Sequence, residues 1–290
     1  MIGEPQPARP APRTYSRGAG RAGSIGNLWS RLLVGAIGLP LVIGFVWLGH
    51  WYLFLLTLVA GIVALHELYW LTRPLRPIAI AGHAGLIGIL FAFQVSTTTW
   101  ALGALLGSLG LAFLLKGLSG TSGSATVSVA TTLLGPAWIG FGLGFVLLLR
   151  DMPGHGRLAA LAVLLAVFAD DTFAYLGGRT FGRHKLAPAL SPGKTLEGFV
   201  VGSIACVFVT FVALYHDRNT YLSIGQSVLL GLVIAVAAPA GDLFESMLKR
   251  DMGVKDTGHL LGGHGGMLDR VDSILFASVA AFYTILAYTT

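Results

Sequence analysis

The chain is a succession of long apolar stretches separated by short polar breaks. The stretches run about Leu32–Gly49, Trp51–Leu71, Ile78–Val95, Trp100–Leu115, Val127–Leu149, Leu158–Gly178, Phe199–Tyr215, Leu222–Leu248 and Ser273–Tyr288. Each approaches the roughly 20 residues that a helix needs to cross a bilayer. The pattern predicts an all-α polytopic integral membrane protein with about nine transmembrane helices. Pro136 and Pro239 fall inside apolar stretches and predict kinks, or local breaks that expose carbonyls to a polar interior. Of the 290 residues, 54% are hydrophobic and only 11% charged. That excludes a soluble globule, which carries roughly 25% charged residues, and equally excludes a disordered chain.

Charge adds direction. Residues 1–31 hold Arg9, Arg13, Arg17, Arg21 and Arg31 against the single acid Glu4, and read as a basic disordered tail. The tail is long for a signal-peptide n-region and no clear cleavage site follows, so the first apolar stretch is expected to be a retained helix. With the tail in the cytoplasm and the spans alternating, the inner side receives all but three of the 19 Lys and Arg residues, leaving Arg150, Arg157 and Arg218 outside. The positive-inside rule supports that orientation. The chain divides into the tail 1–31, N-terminal helices over 32–155 and a catalytic membrane region over 156–290. The two longest polar segments, about 179–198 and 249–272, lie together on the cytoplasmic side.

Most of the 13 acidic residues lie after residue 169. Asp170 and Asp171 precede Arg179 by eight or nine residues and Asp242 precedes Lys249 by seven, which puts each acid roughly 10–13 Å inside its basic boundary. Glu67, beside His66, lies at a similar depth but reads rather as a snorkelling or ion-paired helix end. Asp242, Glu245 and Lys249 share one helix face. Lys249 and Arg250 also suit the dipole at a helix C-terminus. The following segment, 255–272, contains Lys255, Asp256, His259, four glycines over 262–266, His264, Asp269, Arg270 and Asp272. Such a backbone can approach an anion closely, and its carboxylates favour a hard cation such as Mg²⁺ over zinc. His264 is expected to donate a hydrogen bond or support the loop. Cys206 is the sole cysteine, so neither an intrachain disulfide nor a cysteine zinc cluster is available.

The other polar segment carries Arg179, Arg183, Lys185 and then Ser191-Pro192-Gly193-Lys194-Thr195-Leu196-Glu197-Gly198. A P-loop would need glycine where Pro188 stands, so that reading fails. Ser191, Lys194 and Thr195 at a helix mouth can still hold phosphate. Two basic, Gly-rich segments with several carboxylates point to phosphoryl or nucleotidyl transfer, and the membrane setting implies a lipid reactant.

Ser246-x-x-Lys249-Arg250-x4-Lys255-Asp256-x-Gly258-x2-Leu261-Gly262-x-His264-Gly265-Gly266-Met267-x-Asp269-Arg270-Val271-Asp272 resembles the signature of the phosphatidate cytidylyltransferases (CDP-diacylglycerol synthases). The segment Asp171–Gly198 is similar to that family's second polar region, with Phe173 where a small residue is usual. The resemblance implies transfer of the cytidylyl group of CTP to phosphatidic acid, giving CDP-diacylglycerol and pyrophosphate in phospholipid biosynthesis. It implies Mg²⁺, with room for a second cation at Asp171 or Asp272, and metal ligands at Asp242 and Asp269. Lys249, Arg250, Lys255 and Arg270 would neutralise phosphate, with Asp256, His264 and Asp272 completing the catalytic set. Asp171, Ser191, Lys194, Thr195 and Glu197 would hold the nucleotide. CTP, phosphatidic acid and membrane lipids are the expected partners, with no nucleic acid and with homodimerisation open. The implied location is the bacterial inner (plasma) membrane, with the N-terminus and active-site loops cytoplasmic. A CTP-dependent polyprenol kinase and an organic-anion transporter are the competing readings. Transport is disfavoured because the charges gather toward one side rather than at the midplane.

Overall fold

The computed structural model describes residues 38–95, 98–120, 123–254, 257–258 and 265–289. Its helices are α1 (Gly38–Leu48), α2 (His50–Leu71), α3 (Ala79–Val95), α4 (Thr98–Ser119), α5 (Ala125–Gly135), α6 (Phe141–Asp151), α7 (Gly156–Phe181), α8 (Leu196–Leu214), α9 (Ile224–Asp251) and α10 (Leu268–Thr289). With α5 and α6 joined through residues 136–140, seven helices are long and apolar enough to cross a membrane. Two further apolar helices, α1 and α3, are shorter over the described residues. Every expected apolar stretch therefore contains a helix, and the architecture is all-α as the pattern required.

Pro136 acts where the sequence placed a disturbance. It opens a π-helical turn, Pro136–Gly140, between α5 and α6. Proline has no N–H to offer the carbonyl four residues back, and that carbonyl, on Thr132, instead accepts the buried hydroxyl of Tyr69 on α2. Pro239 lies within a continuous α9. The joined α5–α6 rod is the most enclosed span, with 72% of its apolar window buried against 17% for α4. It forms the axis, while α4 presents its sides outward.

α7 packs along α8, α8 along α9 and α9 along α10, while α10 also touches α2, α6 and α7. α10 thus joins the early helices to the late ones. Ser278 on α10 donates to the Gly142 carbonyl on α6 at 2.7 Å, one bond across that seam. Phe173, the departure from the expected small residue, is 46% exposed and faces away from the bundle, so its bulk displaces nothing.

Between α7 and α8 the polar segment is not a plain loop. Lys185–Ala187 (β1) pairs antiparallel with Ser191–Thr195 (β2), with Lys185 opposite Thr195 and Ala187 opposite Ser191. β2 runs directly into α8, whose N-terminus is capped by Thr195 accepting the Gly198 N–H at 3.1 Å.

Candidate active site

Four elements converge at one end of the bundle. α7 contributes Asp170 and Asp171, β2 contributes Ser191 and Lys194, α9 contributes Asp242, Glu245, Lys249 and Arg250, and α10 contributes Asp269, Arg270 and Asp272. The closest approach is between α9 and α10. A side chain at Gly241 would strike the Asp272 carbonyl, so the two helices meet only because position 241 has none.

That approach brings three carboxylates together. One oxygen each from Asp242, Glu245 and Asp272 lies within 4.8 Å of the others. At that separation, like charges repel by about 3 kcal/mol per pair at an effective dielectric near 20. Counter-charge is supplied by two lysines. Lys194 Nζ lies 2.8 Å from Asp242 Oδ2, and Ser246 Oγ donates to Asp242 Oδ1 at 3.3 Å. Lys249 Nζ donates to Glu245 Oε2 at 2.6 Å and to Asp269 Oδ1 at 2.8 Å. Glu245 is 1% exposed and its Oε1 has no partner among the described residues. Asp272 Oδ1 accepts the Ser273 N–H at 2.7 Å. Asp171 lies near the Ser273 hydroxyl and within electrostatic reach of Asp242, Lys194 and Arg270. Asp170 is fully buried between α7 and α8, with neither carboxylate oxygen partnered among the described residues.

The donor set in the three-carboxylate group is all oxygen, without His or Cys. It fits a hard divalent cation and does not fit zinc. Asp269, expected to share a cation with Asp242, stands beside this group rather than in it. Its Oδ2 accepts the Gly266 N–H at 2.7 Å and the Thr257 hydroxyl at 3.0 Å, while Oδ1 takes Lys249. Asp269 therefore links α9 to both described edges of the segment that leads into α10.

The two polar segments meet here. Besides the Lys194–Asp242 pair, Arg250 Nε donates to the Leu190 carbonyl in the β1–β2 turn at 3.1 Å. The turn thus folds over the end of α9. Ser191 is half-buried and Thr195 buried at the base of the hairpin. Glu197 uses its carboxylate on its own hairpin, accepting N–H bonds from Arg183 at 3.0 Å and His184 at 3.2 Å and meeting His184 Nδ1 at 2.6 Å. It ties the first turn of α8 to the chain entering β1. Arg270 is exposed at the start of α10. Lys255, Asp256, His259 and His264 lie outside the described residues.

Two participants were not among the expected site residues. Glu245 was noted only as sharing a face with Asp242, and that i, i+3 spacing was the available signal. Glu67 of α2 accepts the Leu268 N–H at 2.9 Å, a contact across 201 positions that no local pattern foretells.

Comparison with known proteins places most of the chain beside named relatives. A phosphatidate cytidylyltransferase of Staphylococcus haemolyticus is 34% identical over 251 residues, covering 85% of this chain and 94% of that protein. One of Mycobacterium bovis is 31% identical over 299 aligned positions, covering 97% and 94%. One of Haemophilus influenzae is 42% identical over 128 residues, covering 43% of this chain and 44% of that protein, so this match spans less than half of the relative. The model of the cytidylyltransferase family matches residues 29–288. Helical membrane architecture, a carboxylate cluster flanked by lysines and a match over nearly the whole length lead to one conclusion: the chain belongs to the cytidylyltransferase family.

Proposed function

We propose that the protein is a phosphatidate cytidylyltransferase of the bacterial inner membrane, its N-terminus and active-site segments facing the cytoplasm. It transfers the cytidylyl group of CTP to phosphatidic acid, yielding CDP-diacylglycerol and pyrophosphate. The observation that carries this reading is the docking of the hairpin on the cytoplasmic part of α9, over the acid group, through Lys194–Asp242 and Arg250–Leu190. One basic lid and one acidic floor can then grip a single triphosphate. The name borne by relatives matched over 94% of their length supports it.

In this reading Asp242 and Asp269 hold Mg²⁺, with Glu245 and Asp272 extending the donor set and Asp171 or Asp272 available to a second cation. When bound, the cation supplies neutralisation of the charge that develops on the triphosphate. Lys194 and Ser191 orient the nucleotide, and Thr195 keeps its O–H free to donate because its lone pair caps α8. Lys249, Arg250, Lys255 and Arg270 neutralise the CTP and phosphatidate phosphates. A phosphatidate oxygen forms the new bond to the α-phosphorus while the bond to pyrophosphate breaks. Since a phosphate monoester is largely dianionic near neutral pH, no general base is required. His264 and Asp256 complete the catalytic set that the family resemblance implies.

The test uses purified protein in mixed micelles with phosphatidic acid and CTP labelled at one phosphate. Label from the α-phosphate is expected in the lipid, with none from the γ-phosphate. Lipid labelled from the γ-phosphate would instead establish a CTP-dependent lipid kinase. A narrower expectation concerns the lid. Lys194→Met should raise the KM for CTP about tenfold, the worth of one charge-assisted contact of about 1.4 kcal/mol, while the KM for phosphatidate stays within twofold in steady-state assays.

A further inference from the structure

Glu67 has no part in the scheme above, yet it is one of the most enclosed charged groups in the protein. It lies near the end of α2, 3% exposed. Its Oε2 accepts the Leu268 N–H at the first turn of α10, and its Oε1 has no partner among the described residues. A lone buried carboxylate is costly unless something in the fold requires it.

What surrounds it is specific. A Cβ built on Gly258 would lie 2.6 Å from Glu67 Oε1, and one built on Gly266 would collide with Oε2. Both glycines therefore leave room for this carboxylate. Residues 257–258 and 265–268 are the two described edges of the signature segment. Asp269 grips the same edges from the other side, through the Thr257 hydroxyl and the Gly266 N–H. Two acids from distant parts of the chain thus lie against the same pair of backbone strips, Asp269 bonded to both and Glu67 bonded to one. Asp269 does so from within α10, Glu67 from the early helices.

We infer that Glu67 is a positioning residue: a carboxylate of α2 that anchors the α10 edge of the signature segment through Leu268, packs its other oxygen against Gly258 at the opposite edge, and thereby sets the orientation of Asp269 and the affinity for nucleotide and cation. This rests on the reading of Asp269 as a cation-holding residue. Glu67 itself touches neither reactant. Its hydrogen-bond partner is a backbone N–H and its other oxygen lies against a glycine, so its loss should loosen the segment rather than remove a charge from the phosphates.

The experiment pairs hydrogen exchange of cation-free, detergent-solubilised protein with steady-state kinetics for Glu67→Ala, Glu67→Gln, Gly258→Ala and the Glu67→Ala/Gly258→Ala double variant. In Glu67→Ala, exchange in peptides covering 257–268 is expected to quicken at least tenfold, while peptides covering 185–195 stay unchanged. The half-saturating concentrations of CTP and Mg²⁺ should rise about tenfold, with the KM for phosphatidate within twofold. Glu67→Gln, which keeps one carbonyl acceptor for Leu268, should show a partial effect of a few-fold. It serves as the deciding variant should the alanine form not fold. Gly258→Ala should resemble Glu67→Ala when made alone and add less than twofold in the double variant, where the colliding carboxylate is gone. Unchanged exchange over 257–268, or a fall in kcat with CTP and Mg²⁺ dependence unaltered, would overturn the inference. An Asp269→Asn control separates the two readings. Should that variant keep normal Mg²⁺ dependence, the metal assignment fails, whereas the exchange result still decides the anchoring role of Glu67.

Discussion

Asp242→Asn is expected to lower CDP-lipid formation on the order of a thousandfold, a barrier increase of about 4 kcal/mol, while the protein still inserts and purifies normally. Asparagine has nearly the same shape, so α9 and its seam with α10 should be undisturbed. What changes is charge. Asp242 is the member of the acid group that reaches both the hairpin lysine and the α9 hydroxyl of Ser246. Neutralising it leaves Lys194 without its partner and removes a hard ligand from the group formed with Glu245 and Asp272. Asp269→Asn should be comparably damaging. The measurement is initial rate against Mg²⁺ concentration in micelles, with size-exclusion behaviour as the control for folding. Either variant retaining most of its Mg²⁺-dependent activity would mean that the residue is not a cation ligand.

Lys249→Met is the second large effect, and it falls on stability as well as rate. Lys249 is 12% exposed and bridges Glu245, 1% exposed, to Asp269, 11% exposed. Removing one partner of a buried ionic group typically costs about 3–5 kcal/mol, because the remaining charges are left uncompensated. Two carboxylates are stranded here rather than one. In chelator-containing detergent, the midpoint of thermal unfolding should fall on the order of 10 °C. Adding Glu245→Gln should restore part of that loss by removing one of the stranded charges. A Lys249→Met protein as stable as the parent, with no rescue by the second change, would show that the lysine does not hold the α9–α10 seam.

The helical pattern was legible because bilayer thickness imposes it: each apolar stretch of the sequence contains a helix, although seven of the nine expected spans, among the described residues, are long and apolar enough to cross. The ends were less legible, for a physical reason. Hydropathy stops at the edge of the hydrocarbon, but a helix keeps its backbone bonds beyond that edge. α9 continues past Leu248 to Asp251, and α10 begins at Leu268, five residues before the apolar stretch that marks it. Asp269, Arg270 and Asp272 therefore sit on a helix turn and not in a flexible loop, which is how Asp272 comes to face Asp242 and Glu245. The β1–β2 hairpin gave no signal, because strands of three and five residues rich in Ser, Pro, Gly and Lys have no alternation to read. At the site, Lys194 and Asp242 were legible as charged residues in unusual surroundings, but not as a pair. The roles of Thr195 as a helix cap and Glu197 as a tie to the base of the hairpin depend on hydrogen bonds that appear only once the hairpin has formed. Glu67 was legible by depth alone.

The central claim is that the late polar segments form one chamber in which acids of α9 and α10 hold a divalent cation against a nucleotide. Anomalous scattering from crystals grown with Mn²⁺ and a non-hydrolysable CTP analogue tests it most directly. The account predicts a peak within about 2.5 Å of an Asp242 carboxylate oxygen, shared with acids of α10 and with the nucleotide phosphates beside Lys194. A peak held by other residues, or nucleotide density away from the hairpin, would contradict it.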